Sequence, residues 1–323
     1  MHRFGCLLLG FAIVLTAPAS AQDYPSRQIR LVVPFAAGGP ADTVTRIVAQ
    51  PIGTALKQNV IIENKGGAGG VAGVDTVAKA TPDGYTIGVT GPGAVTAAPY
   101  LMSVPYDALR DLAPITVIGR IGGVIVANPK TGFKSIADLV AHAKANPGKI
   151  NFASAGAGTS IHLAGELFAL EAGIKLVHVP YRGAAPAVTD LLAGHVEIML
   201  PDLTVVLEHI RAGRLTALAV TGPTRSPFLP DLPTMVELGY PRVQSETWYG
   251  LIAPAATPPA IVKQIHDAAT TVLKSPDVTA QLEKQGAVAA PTTPEAFRQT
   301  IADEQARWKQ VIQATGLRIE QSQ

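Results

Sequence analysis

Ile29-Arg30-Leu31-Val32-Val33-Pro34-Phe35-Ala36-Ala37-Gly38-Gly39-Pro40-Ala41-Asp42 begins as an apolar, β-branched run, breaks in a glycine-rich turn and enters an amphipathic stretch. The run predicts a short buried strand. Asp42 is expected to cap a helix reaching Lys57, with Val44, Ile47, Val48, Ile52 and Leu56 on one face. The same order returns in the other half of the chain. Ile150-Asn151-Phe152-Ala153 reads as a strand, Ser154-Ala155-Gly156-Ala157-Gly158-Thr159-Ser160 as a turn, and Leu163, Leu167 and Leu170 line the helix that follows. If each half is its own unit, two helix N-termini can face one another across a cleft.

Around these two stretches strands and helices alternate. Val60–Glu63 and Tyr85–Thr90 are expected strands, separated by a helix over Val71–Ala80. A second series carries strands at Val124–Ala127, Lys175–Val179, Val196–Leu200 and Leu215–Val220, with helices at Ser135–Ala145, Ala184–Leu192 and Val205–Ala212. This rhythm implies an α/β fold whose sheets are mainly parallel, joined by right-handed crossovers. Residues 222–241 hold five prolines and read as a bridge between units. Trp248–Ala253 resumes a strand, and three amphipathic helices close the chain.

At 323 residues, with 47% apolar and 15% charged residues, the chain is long enough for two domains and too apolar for disorder. Lys and Arg total 26 against 24 Asp and Glu, a balance that gives no electrostatic reason to expect a nucleic-acid partner. Met1-His2-Arg3, the apolar run Phe4–Leu15 and Ala19-Ser20-Ala21 form a secretory signal peptide over residues 1–21, with cleavage expected after Ala21. The single cysteine, Cys6, leaves with it, so the mature chain has no disulfide, thiol nucleophile or cysteine metal site. The mature protein is expected in the periplasm.

The chemistry lies in the turns. A helix start offers up to about four free backbone amides and about half a positive charge, and glycine lets a ligand come close. Each glycine-rich turn can therefore hold an anion without a cationic side chain. Asp42 either caps its helix or meets an ammonium group; Ser154, Thr159, Ser160 and His162 either brace the second turn or reach a ligand. Arg182, in Tyr181-Arg182-Gly183, offers fork geometry to a carboxylate, or is a solvated or tethering residue. Asp202 follows a strand end, where open α/β sheets place ligand residues, and it could equally cap a helix. Enzymatic signals are poor. There is no Gly-x-Ser-x-Gly elbow, His-Glu-x-x-His pair or Walker loop, and the loose dinucleotide match Gly67–Ala72 does not directly follow its strand. Ser160 and His162, two apart on a helix, do not face each other. No catalytic residue, metal site or cofactor is expected.

The residues also resemble a known family. Pro34-Phe35-Ala36-Ala37-Gly38-Gly39 with Asp42 and Arg46, Glu63–Gly70, Thr81–Thr86, Ser154–Leu163, Val179–Gly183, Asp190–Gly194, Ala219–Gly222, Leu229–Thr234 and Trp248–Leu251 are similar to the Bug/TctC family. These are extracytoplasmic receptors of tripartite tricarboxylate transporters. Lys65-Gly66 stands where members often carry Arg-Pro, and Pro40-Ala41 where one small residue and Thr are commoner. The resemblance implies a two-lobed type II periplasmic-binding fold that closes on a small carboxylate. One lobe would comprise residues 22–123 plus 246–323 and the other residues 124–245. By the same resemblance, ligand contacts fall to Phe35, Ala36, Ala37, Gly38, Gly39 and Asp42, with Thr90, in the first lobe. In the second they fall to Ser154, Gly156, Gly158, Thr159, Ser160 and His162, with Tyr181, Arg182 and Asp202. Membrane permease subunits are the implied partners, and a monomer is expected. A sensory receptor without a transport role, or a secreted hydrolase, are the alternatives. The ligand class stays open among citrate-like, amino-acid, nicotinate-like and aromatic acids.

Overall fold

The structure, a computed structural model, describes residues 24–315; the leader assigned to residues 1–21 lies outside them. In chain order, β1 (Ile29–Val33) leads through a turn into α1 (Pro40–Leu56), then β2 (Val60–Asn64), α2 (Val71–Ala78), β3 (Thr86–Thr90), α3 (Ala98–Leu101) and the long β4 (Leu112–Gly122). The second series runs β5 (Val124–Ala127), α4 (Ile136–Ala145), β6 (Asn151–Ser154), α5 (Ser160–Ala172), β7 (Val177–Pro180), α6 (Ala184–Ala193), β8 (Ile198–Met199), α7 (Leu207–Arg211) and β9 (Thr216–Val220). β10 (Glu246–Pro254), α8 (Pro259–Leu273), α9 (Pro276–Lys284), β11 (Ala287–Val288) and α10 (Pro294–Thr315) complete it.

The strands form a six-stranded sheet ordered β11-β4-β10-β3-β1-β2 and a five-stranded sheet ordered β7-β6-β8-β5-β9. In the first, β1, β2, β3 and β4 share one direction and β10 and β11 oppose it; in the second only β5 is reversed. β5 and β10 each enter a sheet directly after a crossing between the two, and β11 returns antiparallel to β4 after α8 and α9, so a mixed sheet follows from the connectivity. Successive residues of the buried strands feed opposite cores. Leu31, Val33, Tyr249 and Leu251 pack with Val44, Val48 and Ile52 of α1 and Ile265 and Ala269 of α8. Val32, Trp248 and Ile252 pack with Val74 and Val77 of α2 and Phe297 and Ile301 of α10. Covered on both faces, such strands read as continuous apolar runs. The second sheet packs Phe152, Ile198 and Leu218 against α4 and Phe168 of α5, and its other face joins the cluster around Leu191 of α6.

The chain passes between the sheets at Gly123 and again between Val220 and Glu246. Both passages are tied together: Thr221 N donates to Gly123 O and Ser245 N to Thr221 O, each at 2.9 Å. Some boundaries differ from the sequence reading. The strand expected at Val196–Leu200 shortens to Ile198–Met199, and the helix expected at Val205–Ala212 splits into a 3-10 turn, Leu203–Val205, and α7. Among the described residues no helix is long and apolar enough to cross a membrane.

Candidate functional site

The first turn is built by its helix start. Gly39 is the N-cap of α1 and Pro40 the first helical residue, where a missing amide costs nothing. Asp42, expected as the cap, instead lies one turn in and reaches back. Its Oδ2 accepts from Gly38 N at 2.8 Å and from Arg46 Nε at 2.8 Å, and its Oδ1 from Asn64 Nδ2 at 2.9 Å. Asn64 also donates to Phe35 O at 3.0 Å. Asp42 is buried and accepts three hydrogen bonds from the loop and its neighbours, so its side chain shapes the turn. Burial alone would raise its carboxyl, but the Arg46 guanidinium and the Gly38 and Asn64 amides outweigh it and hold the group below the ordinary aspartate range. Replacing it with alanine orphans these donors. Arg46 is half exposed and rehydrates, so Asp42→Ala should cost about 2 kcal/mol, measured by denaturant unfolding at pH 7. Because the folded-state carboxyl is depressed, this contribution is present at neutral pH and is lost as acid protonates it; the wild-type and variant stabilities should converge as pH falls through that depressed value.

The second turn is braced by side chains behind it. Thr159 caps α5, accepting from His162 N and donating to Gly156 O at 2.7 Å. His162 Nδ1 accepts from Gly158 N at 3.1 Å, and Ser154 Oγ accepts from Gly156 N at 3.1 Å. Ser154 Oγ also meets His178 Nε2 at 2.6 Å, and the His178 ring stacks on His162 with centroids 3.9 Å apart. Burial, with the neighbouring His162, pushes His178 down to about 3. The ring is therefore neutral at working pH and bonds to Ser154 without a charge. Ser154, Thr159 and His162 thus hold the turn by their side chains. His178, which completes the brace, went unassigned in the sequence because a histidine in an edge strand carries no local signal.

Loops from the two sheets meet: the second turn lies against Gly69 and Gly93, and the first turn against Gly183 and Ala185. A Cβ placed on Gly69 would sit 2.4 Å from the Ala157 carbonyl oxygen, and one on Gly93 would sit 2.7 Å from the Gly158 carbonyl oxygen. Gly183 lies against Ala36, and Ser160 Oγ meets Thr247 Oγ1 of β10 at 3.1 Å. The amides of Ala41 and Asp42 in α1 and of Ser160 and Ile161 in α5 have no acceptor among the described residues. The arrangement therefore aims two helix N-termini, with unspent donors, at one interface from opposite sheets.

Around them, Phe35 and Ala36 are half-buried, Ala37 and Gly38 exposed. The Tyr181 hydroxyl donates to Asp190 Oδ2 at 2.7 Å, so it serves α6. Arg182 is exposed and makes no ion pair among the described residues. Thr90 is fully buried and bonds to its neighbour's carbonyl. Asp202 lies at the passage between sheets, where Tyr249 donates to its Oδ2 at 2.8 Å and its other partner, Thr247, also meets Ser160 of the second turn. No cluster able to hold a metal ion occurs among the described residues.

This geometry can be set beside known proteins. A family model described as the tripartite tricarboxylate transporter family receptor matches residues 44–317. BugT of Bordetella pertussis is 40% identical over 307 residues, covering 94% of this chain and 94% of BugT. The chain belongs to the Bug/TctC receptor family. Two solved structures share its fold closely: a protein of R. palustris with adipate (32% identical, TM-score 0.88, 92% of this chain and 100% of that one), and MatC from Rhodopseudomonas palustris with bound malate (31%, 0.86, 90% and 100%). The Bug/TctC assignment agrees with a two-lobed α/β architecture and identifies the chain as a solute-binding receptor.

Proposed function

We propose that this Bug/TctC receptor captures a small linear dicarboxylate between its lobes in the periplasm and presents it to the permease subunits of a tripartite transporter. The lobes are taken as residues 22–123 plus 246–323 and residues 124–245, turning about Gly123 and the segment before Glu246. The observation that carries this reading is the pair of helix starts with unspent amides, one on each side of the interface between the sheets, formed by α1 after Phe35–Gly39 and by α5 after Ser154–Thr159. Backbone amides favour an anion without a basic pocket, as the near-neutral composition requires. The relatives' adipate and malate are both dicarboxylates with two ends to hold, matching two donor sets. One carboxylate docks on α1, and lobe closure brings α5 onto the other; ligand bound to both donor sets favours the closed state.

Arg182 has the free guanidinium best placed to add specificity at the rim. Arg182→Ala should weaken dicarboxylate binding about tenfold and leave unfolding unchanged, since an exposed unpaired arginine contributes little to stability. Isothermal calorimetry beside a denaturation curve checks both halves. The reading as a whole is tested by thermal shift of the mature chain with mono-, di- and tricarboxylates, because a ligand that binds only the native state raises the melting point. A panel that leaves the midpoint unmoved, with adipate and malate included, rejects it.

A further inference from the structure

Asp202 is 3% exposed, stands at the passage between the lobes and has no counter-charge. It belongs to the second lobe, at the end of β8, and pairs through its backbone with Gly123, the first crossing point. The side chains bonded to it come from the other lobe. Tyr249 Oη donates to Oδ2 at 2.8 Å, and the Thr247 hydroxyl is its second partner, both on β10. Tyr249 is itself 4% exposed, and its ring lies against Gly91, directly after the cleft end of β3. Of the titratable groups, Tyr249 alone acts on Asp202; no charged side chain on β4, α1, α6 or α7, the elements around it, does so among the described residues.

We propose that closure of the lobes takes up a proton at Asp202, so that this carboxyl links solute capture to the acidity of the surroundings. The proposal rests on the reading that the lobes open and close. A buried carboxylate with two neutral donors and no cation is costly, whereas an open cleft returns it to water. Burial accordingly pushes the group up to about 6 in the conformation described, which the proposal takes as the closed one. The sign follows. The closed form binds the proton more tightly than the open form, so acid favours closing and alkali favours opening. Between pH 8 and pH 5 the closed-to-open ratio should rise about tenfold from this group alone.

The test needs no knowledge of the solute. The mature chain has no cysteine, so spin labels at Gln50→Cys and Lys144→Cys, both exposed and one on each lobe, report lobe separation. In the parent the ratio of short- to long-distance populations should grow about tenfold from pH 8 to pH 5. Asp202→Asn, which mimics the protonated carboxyl in shape and charge, should sit at the short distance at both pH values. Tyr249→Phe, which removes one donor to the carboxylate, should move the midpoint upward. A parent that ignores pH, or an Asp202→Asn chain that keeps the parent's response, overturns the proposal. Malate and adipate form the second arm. If they shorten the distance while the pH response survives Asp202→Asn, the coupling is wrong and the receptor reading stands. If pH moves the lobes in an Asp202-dependent way and neither acid does at any pH, the coupling stands and the dicarboxylate reading falls.

Discussion

Gly39→Asp should abolish measurable dicarboxylate binding, lowering affinity by at least about a hundredfold, while leaving the protein as stable as before or slightly more so. Gly39 is the N-cap of α1 with extended backbone, φ −80° and ψ 172°, and no side chain there caps the helix. A Cβ at this position meets nothing closer than the Ala36 carbonyl at 3.5 Å, an ordinary contact. Aspartate is among the preferred N-cap residues, gaining a few tenths of a kcal/mol over glycine. It would do so by accepting from the amides of Ala41 and Asp42, the donors assigned to the ligand's carboxylate. The substitution therefore fills the site with a tethered carboxylate and adds like-charge repulsion. Calorimetry with malate or adipate, beside a melting curve, separates binding from folding. Unchanged affinity in a stable variant would show that the α1 helix start is not where the acid is held.

The legible parts of the molecule were those with local signals. The strand and turn from Ile29 to Gly39 and their echo from Ile150 to Ser160 lie where periodicity and glycine placed them, since a buried strand and a helix start are written in adjacent residues. β4 was not legible. Its eleven residues are broken by Pro114, Gly119 and Arg120, and it is held as a strand by pairing along nearly all of β10, more than a hundred residues away in sequence. The helical stretch around Ala98–Leu101 was missed as well, because its glycine- and alanine-rich sequence has no polar face to set a period.

The site was legible as backbone and less so as side chains. The sequence pointed to the two turns, but could not show that Asp42, Ser154, Thr159 and His162 spend their polar atoms on the turns themselves. That depends on Asn64 and His178, which are distant partners supplied by neighbouring strands. Asp202 was placed at a strand end by the general rule for open sheets, yet its partners Tyr249 and Thr247 come from the other sheet, which only the crossing topology brings near. The polar residues of the turns thus serve preorganisation, and on the proposed reading the gripping falls to amides that no residue type announces.

The same division of labour makes Gly69→Ala the sharper test of closure. Gly69 precedes α2 at φ +65°, and the added methyl costs about 1 kcal/mol for that left-handed backbone. Its larger effect is across the cleft. The new Cβ would stand 2.4 Å from the Ala157 carbonyl oxygen, well inside contact distance, and the obstacle is backbone that cannot swing aside. The first turn would keep its Asp42 network, because that network does not involve Gly69. The open protein should therefore fold and still offer the α1 amides, but the lobes could not meet. Affinity should fall between about tenfold and a hundredfold, mostly through faster dissociation, as a ligand held from one side leaves more easily. Small-angle scattering should show the variant failing to contract when malate or adipate is added at saturating concentration, where the parent does contract. If Gly69→Ala contracts and binds like the parent, the contact between Gly69 and the second turn is incidental, and closure of the α5 turn onto the first lobe is not what holds the ligand.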